Sequence, residues 1–220
     1  MIYDFHTHTY LSDGVLSPIE LVRRAHARGY GVIAVTDHVG LADQARVIGT
    51  LLEDCRIAGE EWGITALAGV EITHVPIGRI GEAAKRARDL GAQIVIVHGE
   101  TIVEPVEPGT NLAALRSPDV DVLAHPGMLS EEEAALAAEH GVCLELTARR
   151  GHSLTNGRVA AMGLAHGARL VVDSDAHAPE DLLTSELARG VALGAGLTAA
   201  TAADALEANP QRLLAARGLA

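Results

Sequence analysis

The sequence predicts a single α/β domain over residues 1–220, a distorted TIM-type (β/α)7 barrel, and three observations lead there. A helical stretch, a glycine and a short apolar, β-branched run recur in that order along the chain. The apolar runs are continuous where a half-exposed sheet would alternate, as expected for parallel strands covered on both faces. Seven such runs fit into 220 residues with no linker and no low-complexity segment. Strict alternation of strand and helix at this length suits a closed barrel with seven strands in place of eight. An open, doubly wound sheet is the competing arrangement.

The elements follow in order. Residues 2–5 are the first apolar run. Ser17-Pro18-Ile19-Glu20 has the spacing of a capping box, with proline at the first helical position. That helix closes over residues 25–28 and passes through Gly29 and Gly31 into the second run, 32–35. Residues 64–70 are the third run. A helix over 83–90 leads through Gly91 to the fourth, 94–97, and residues 120–124 are the fifth. Ser130-Glu131-Glu132-Glu133 repeats the capping spacing and loads the first turn with acid, which the helix dipole favours. Its helix runs to His140 and leads through Gly141 to the sixth run, 142–146. The helix over 159–166 leads through Gly167 to the seventh, 170–172. At these junctions glycine supplies the left-handed conformation that ends a helix.

Composition narrows the function. Hydrophobic residues make up 48% and charged residues 21%, values of an ordinary folded domain. No basic-then-apolar leader opens the chain and no apolar run approaches the ~20 residues of a membrane span. Cys55 and Cys143 stand singly in apolar surroundings and read as small core residues of a reducing compartment. The expectation is a cytoplasmic protein without membrane association. The net charge is −12 with histidine neutral, and aromatics are 2%, which argues against a long nucleic acid as partner.

Each apolar run ends in metal-capable side chains. The first gives His6 and His8, the second Asp37 and His38, the third Glu71, the fourth His98 and the fifth His125. The sixth carries Glu145, and the seventh runs into Asp173, Asp175 and His177. Barrel enzymes place their chemistry at these strand ends. In His6-x-His8 and Asp175-x-His177 an extended backbone turns both side chains to one side, so that they can share an ion. A carboxylate such as Glu71 can bridge two ions, which a neutral imidazole cannot. Burying so many titratable groups together without a cation would be costly. His26, His140 and His166 differ: they fall in last helical turns, where a cation complements the dipole. His74 and His152 lie in loops on the ligand side and are open between surface and substrate binding.

These residues carry a resemblance. His6-Thr7-His8-Thr9, Ser12-Asp13-Gly14, Thr36-Asp37-His38, Gly69-Val70-Glu71, His98, His125-Pro126 and Asp175-Ala176-His177 resemble, in order, the motifs of the PHP (polymerase and histidinol phosphatase) family of trinuclear metallohydrolases. The resemblance covers residues 1 to about 180. It implies three divalent transition metal ions, zinc, iron or manganese. His6, His8, Glu71 and Asp175 would hold the first; Glu71, His98 and His125 the second; Asp13, His38 and His177 the third. Some members carry histidine where this chain has Asp13.

The resemblance further implies hydrolysis of a small phosphate monoester, as on histidinol phosphate, through a metal-bridging hydroxide, with Glu71, Asp175 and His177 at the reacting centre. Arg149 and Arg150, just past the sixth strand, are candidates to clamp the phosphate, because guanidinium binds it bidentately. The segment 147–156, with His152, is the expected specificity loop. Glu100, Glu104 and Glu107 are candidates to attract a cationic group of the substrate. A phosphodiesterase or exonuclease acting on nucleotides or short oligonucleotides is the second reading, and a metal-free scaffold of the same fold is the third. An amidohydrolase with a carboxylated lysine at a strand end is excluded, because the only lysine, Lys85, falls inside a helix.

Overall fold

A computed structural model describes residues 1–219. Its strands are β1 (Ile2–Asp4), β2 (Tyr30–Val35), β3 (His38–Val39), β4 (Thr65–Ile72), β5 (Ile94–His98), β6 (Val122–Ala124), β7 (Cys143–Thr147) and β8 (Leu170–Asp173). All pair in parallel, in the order β1-β2-β4-β5-β6-β7-β8. The two-residue β3 continues the line of β2 and pairs β4 through His38↔Glu71 and Val39↔Ile72. The seven expected strands are therefore present, with one short extension that a two-residue run could not announce. Main-chain bonds from Asp175 N to His6 O and from His8 N to Ala176 O join the two ends of the sheet at the C-terminal rim, at 2.9 and 2.8 Å. The result is a nearly closed barrel.

Helices α1 (Pro18–Ala27), α2 (Gln44–Trp62), α3 (Ile80–Asp89), α4 (Thr110–Leu115), α5 (Glu131–His140) and α6 (Asn156–His166) wrap it. Ser130 and Glu133 form the full reciprocal cap on α5, whereas Ser17 caps α1 alone because Glu20 turns to Arg24. Gly63, Gly141 and Gly167 end α2, α5 and α6 in the left-handed conformation. Three further helices, α7 (Ser185–Gly194), α8 (Ala199–Ala203) and α9 (Asn209–Ala216), lie in a region where the sequence announced nothing, with a π-helical segment (Asp204–Ala208) between the last two.

Two apolar clusters result. The larger lies between strands and helices. The smaller takes alternate strand residues, Val32 and Ala34, Ile94 and Ile96, Val122 and Ala124, together with Phe5, Leu67, Cys143 and Val171, and it fills the barrel. Leu213 and Leu214 of α9 complete that cluster. Asn209 binds Leu170 O at the start of β8, and Arg217 pairs with Asp121 just before β6, so α9 plugs the floor. Both cysteines are buried and free, and Lys85 is an exposed partner of Asp89 on α3. Among the described residues no helix is long and apolar enough to cross a membrane.

Candidate metal centre

The alternation that fills the barrel continues upward along the strands. One step beyond Ile96 and Cys143 the inward positions are His98 and Glu145, and two steps beyond Leu67 the inward position is Glu71. Polar groups thus replace apolar ones at the C-terminal mouth. His125 and Asp175 follow β6 and β8 with φ of 25° and 53°, left-handed values that non-glycine residues seldom adopt. Asp13 arrives on a loop tied down by Asp37. The Asp37 carboxylate accepts bonds from Thr9 N and Oγ1 at 2.8 and 2.7 Å, and from Ser12 N and Oγ at 3.1 and 2.6 Å. Gly14 lets this loop fold back, since a Cβ there would stand 2.5 Å from His8 O.

Glu71 is the hub. It is fully buried, and four imidazoles face its carboxylate: His38 Nδ1 at 2.7 Å, His6 Nε2 at 3.2 Å, and His8 Nε2 and His125 Nε2 at 3.6 Å. Asp175 Oδ1 lies 3.2 Å from His8 Nε2 and 3.4 Å from His177 Nδ1. Asp13 Oδ1 reaches His177 Nε2 at 3.2 Å and His38 Nε2 at 3.6 Å. Donor atoms within 4.8 Å of one another fall into four sets: His6, His8 and Asp175; His6, Glu71 and His125; His8, Asp13, His38 and His177; and His125, His152 and Asp175.

The donor set fits divalent ions. Glu71 Oε1, both His8 nitrogens, His6 Nε2, His98 Nδ1 and His125 Nδ1 are buried without a hydrogen-bond partner. Unpartnered buried donors and acceptors are rare in folded proteins, and of these His6 Nε2 and His8 Nε2 lie 3.2 and 3.6 Å from the Glu71 carboxylate. Burial by itself would lower His6, yet Glu71, Glu145 and Asp175 hold it well above the ordinary value. Burial would likewise lower His38, but Glu71 and Asp13 carry it up to about 9. Desolvation wins at His8, pushed down to about 4, and at His125, pushed well below its usual range. Burial would raise Glu71 and Asp175, and the surrounding histidines overcome it and lower both. Neighbouring imidazoles are thus driven apart in proton affinity, and cations that displace the protons relieve that competition.

The structure brings together all nine of His6, His8, Asp13, His38, Glu71, His98, His125, Asp175 and His177, with two departures from the expected grouping. His98 stands beside His125 with ring centroids 4.5 Å apart, but its Nε2 turns to Glu104 at 3.0 Å. His152, expected against substrate, stacks on His125. Arg149 and Arg150 are not aimed into the cluster. They line a neighbouring cleft of about 500 Å³ with Ser174 and Asp181, and Arg149 Nη1 lies 3.4 Å from Asp181 Oδ2. That same oxygen accepts His177 N at 3.0 Å, so Arg149 is one residue removed from the cluster. Of the three loop acids, Glu100 caps Gly109 and Asn111, Glu107 holds Ile77 N, and only Glu104 enters the site.

Glu145 has a role that its strand-end position alone did not reveal. Its Oε1 lies 2.7 Å from His6 Nδ1 and its Oε2 accepts His125 N at 2.7 Å. A carboxylate behind a metal-facing imidazole fixes the ring and raises its basicity. The cue in the sequence was an acid within an apolar strand, a position where charge is seldom left without a task.

Residues 4–140 match the family model described as the PHP domain. An uncharacterized protein of Methanocaldococcus jannaschii is 48% identical over 219 residues, covering 97% of this chain and 99% of that protein. A probable phosphatase of Caldanaerobacter subterraneus is 29% identical over 203 residues, 80% of this chain and 76% of the relative. A 5′-3′ exoribonuclease of Haemophilus influenzae shares 45% identity over 71 residues, 32% of this chain and 23% of that enzyme. Among solved structures, one chain of an archaeal ribonuclease P with mature tRNA superposes with a TM-score of 0.74 at 15% identity, covering 97% of this chain and 90% of that chain. Histidinol phosphate phosphatase of Lactococcus lactis, with zinc, L-histidinol and phosphate, gives 0.65 at 14% identity, covering 90% and 94%. At such identities the structural likeness is one of fold. The match over more than half of the chain is a different matter, and with it the barrel and its rim find their place: the chain belongs to the PHP domain family and is a metal-dependent hydrolase.

Proposed function

We propose that the chain hydrolyses a small phosphate monoester with divalent transition metal ions, three in number, held by the nine rim residues. The observation that carries this reading is Glu71, a buried carboxylate with four imidazole nitrogens within 3.6 Å. His6, His8 and Asp175 surround one space beside it, and Asp13, His38 and His177 another. Divalent ions bound in such a site supply Lewis acidity and a water acidic enough to lose its proton near neutral pH.

The remaining work falls to the chain. Glu145 orients His6, and Asp37 orients the Asp13 loop. A cleft of about 430 Å³ bordered by Asp13, His38, His74, His98 and Glu104 opens onto the cluster and admits a small substrate. A phosphate entering from the flank of His177 meets Arg149, which exchanges its contact with Asp181 for the phosphate oxygens. His177 turns Nε2 to Asp13 and Nδ1 to the Asp175 main-chain oxygen, and so holds the Asp13 side of the cluster in place. Of Glu100, Glu104 and Glu107, Glu104 is the one that borders this cleft.

The test is Glu71→Gln, assayed beside wild type with histidinol phosphate, sugar phosphates and p-nitrophenyl phosphate after reconstitution with manganese, zinc or iron. Wild type turns over at least one monoester, and the variant loses nearly all turnover while staying folded. Wild-type rates in Glu71→Gln would end this reading. The second reading, a nucleotide phosphodiesterase or exonuclease, is favoured by the 45% identity of the 71-residue segment shared with an exoribonuclease. Nucleotide bisphosphates and short 5′-phosphorylated oligonucleotides in the same panel decide between the two.

A further inference from the structure

His152 sits on the turn after β7, outside the nine positions above, yet it is only 7% exposed. Its ring is stacked on His125 with centroids 4.3 Å apart and 29° between planes. Its Nδ1 is taken by Thr101 Oγ1 at 2.8 Å, which leaves Nε2 as the nitrogen facing the site. A donor atom of His152 stands within 4.8 Å of donors from both His125 and Asp175. A buried imidazole whose outer nitrogen is held by a hydroxyl and whose inner nitrogen faces other imidazoles has the arrangement of a metal ligand with its supporting bond.

Glu104 meets it from the opposite wall. Its Oε1 lies 3.4 Å from His152 Nε2 and its Oε2 lies 3.0 Å from His98 Nε2, so one carboxylate spans two imidazoles. The loop is built to hold it there. Glu100 Oε1 accepts Gly109 N and Asn111 N, both at 2.9 Å, and Glu107 Oε2 accepts Ile77 N at 3.3 Å, which pins the far end. Gly127 packs against Glu100 O so closely that any Cβ there would clash, which locks the near end to the loop after β6.

We propose that His152 and Glu104 are additional protein ligands that complete the donor set of the ion held by His98 and His125. Three imidazoles and a carboxylate from the chain would then hold that ion, besides any share of Glu71, and its contribution would be chiefly structural. This rests on the metal-dependent reading above and replaces the expectation that His152 contacts substrate.

The experiment follows metal, not turnover. Chelated full-length wild type, His152→Ala, His152→Asn and Glu104→Gln are reloaded with Co(II) or Zn(II), desalted and analysed for metal per chain. Visible spectra of the Co(II) forms and competition with a chromophoric chelator give geometry and affinity. We expect His152→Ala and His152→Asn to lose about one ion per chain, or to hold the slowest-released ion at least about tenfold more weakly, with a changed Co(II) spectrum. Glu104→Gln weakens the same ion. Full metal content, unchanged affinity and an unchanged spectrum in all three variants would overturn the proposal. Glu104 is partly exposed, so its variant keeps the test open if the His152 variants fail to fold. Failure of the phosphatase reading shows up separately, as wild type fully loaded with metal but idle on every monoester.

Discussion

Asp4 and Asp173 each accept the main-chain N–H of the residue that follows the other. Asp173 Oδ1 takes Phe5 N at 2.6 Å and Asp4 Oδ1 takes Ser174 N at 3.0 Å. The seam between β1 and β8 is therefore closed below the rim by two buried carboxyls, in place of the backbone ladder that joins other strand pairs. Tyr30 steadies the arrangement by donating to Asp4 Oδ2.

Removing either acid leaves a buried N–H without a partner, a loss of about 1–3 kcal/mol. Asp173→Ala and Asp4→Ala should each lower the melting temperature by about 2–4 °C per kcal/mol lost. Burial, with Asp4 and Glu145 nearby, raises Asp173 well above the usual carboxyl range. Asp173→Asn keeps an oxygen to accept Phe5 N and removes a buried acid, so it should melt close to wild type. Thermal denaturation of the three chelated variants checks the order.

Glu145→Ala should leave the fold intact and weaken metal binding by about 10–100-fold, because His6 loses its orienting partner. The free N–H of His125 would add a stability cost. Calorimetric titration with Zn(II) reads the affinity directly, and an unchanged isotherm would rule this role out.

Gly99→Ala should damage the site through the backbone. A Cβ at Gly99 would clash with Ala124 O and come within 2.8 Å of Pro126 Cα, which forces the end of β5 away from the segment carrying His125. Main chain cannot give way as a flexible side chain can. The expected outcome is a melting temperature several degrees lower and loss of metal bound by His98 and His125.

Cys55 and Cys143 report on integrity. Burial pushes both thiols up to about 12. At pH 8 that leaves about one thiolate in ten thousand. Native protein should consume no Ellman's reagent over minutes, and protein in 6 M guanidinium about two equivalents. Rapid native labelling at either position would contradict the packing around Leu51 and Val171.

Much of this was legible in the chain. Seven apolar runs become seven strands because parallel strands buried on both faces need continuous hydrophobicity, and glycines at 141 and 167 mark helix ends through positive φ. The rim residues were visible because strand ends in a barrel converge by geometry alone. Orientation was not. His98 turning to Glu104, Arg149 pairing with Asp181 and Asp37 binding a loop are each decided by partners distant in sequence, and no local spacing encodes them. The helices after residue 184 escaped notice because they follow the last apolar strand run and the last motif of the resemblance. Leu213 and Leu214, which fill the barrel floor, belong to that silent region.

The span of the rim residues has a mechanical consequence. An ion shared by His6, His8 and Asp175 would pin the beginning of the barrel to its final strand, cinching nearly the whole chain into a single covalent-like ring. The entropy removed by such a tie grows only slowly with ring size, yet here it stabilises every strand in between. No blade of the barrel can peel away while the knot holds, so loss of the ion and loss of the fold become neighbouring events on one unfolding path.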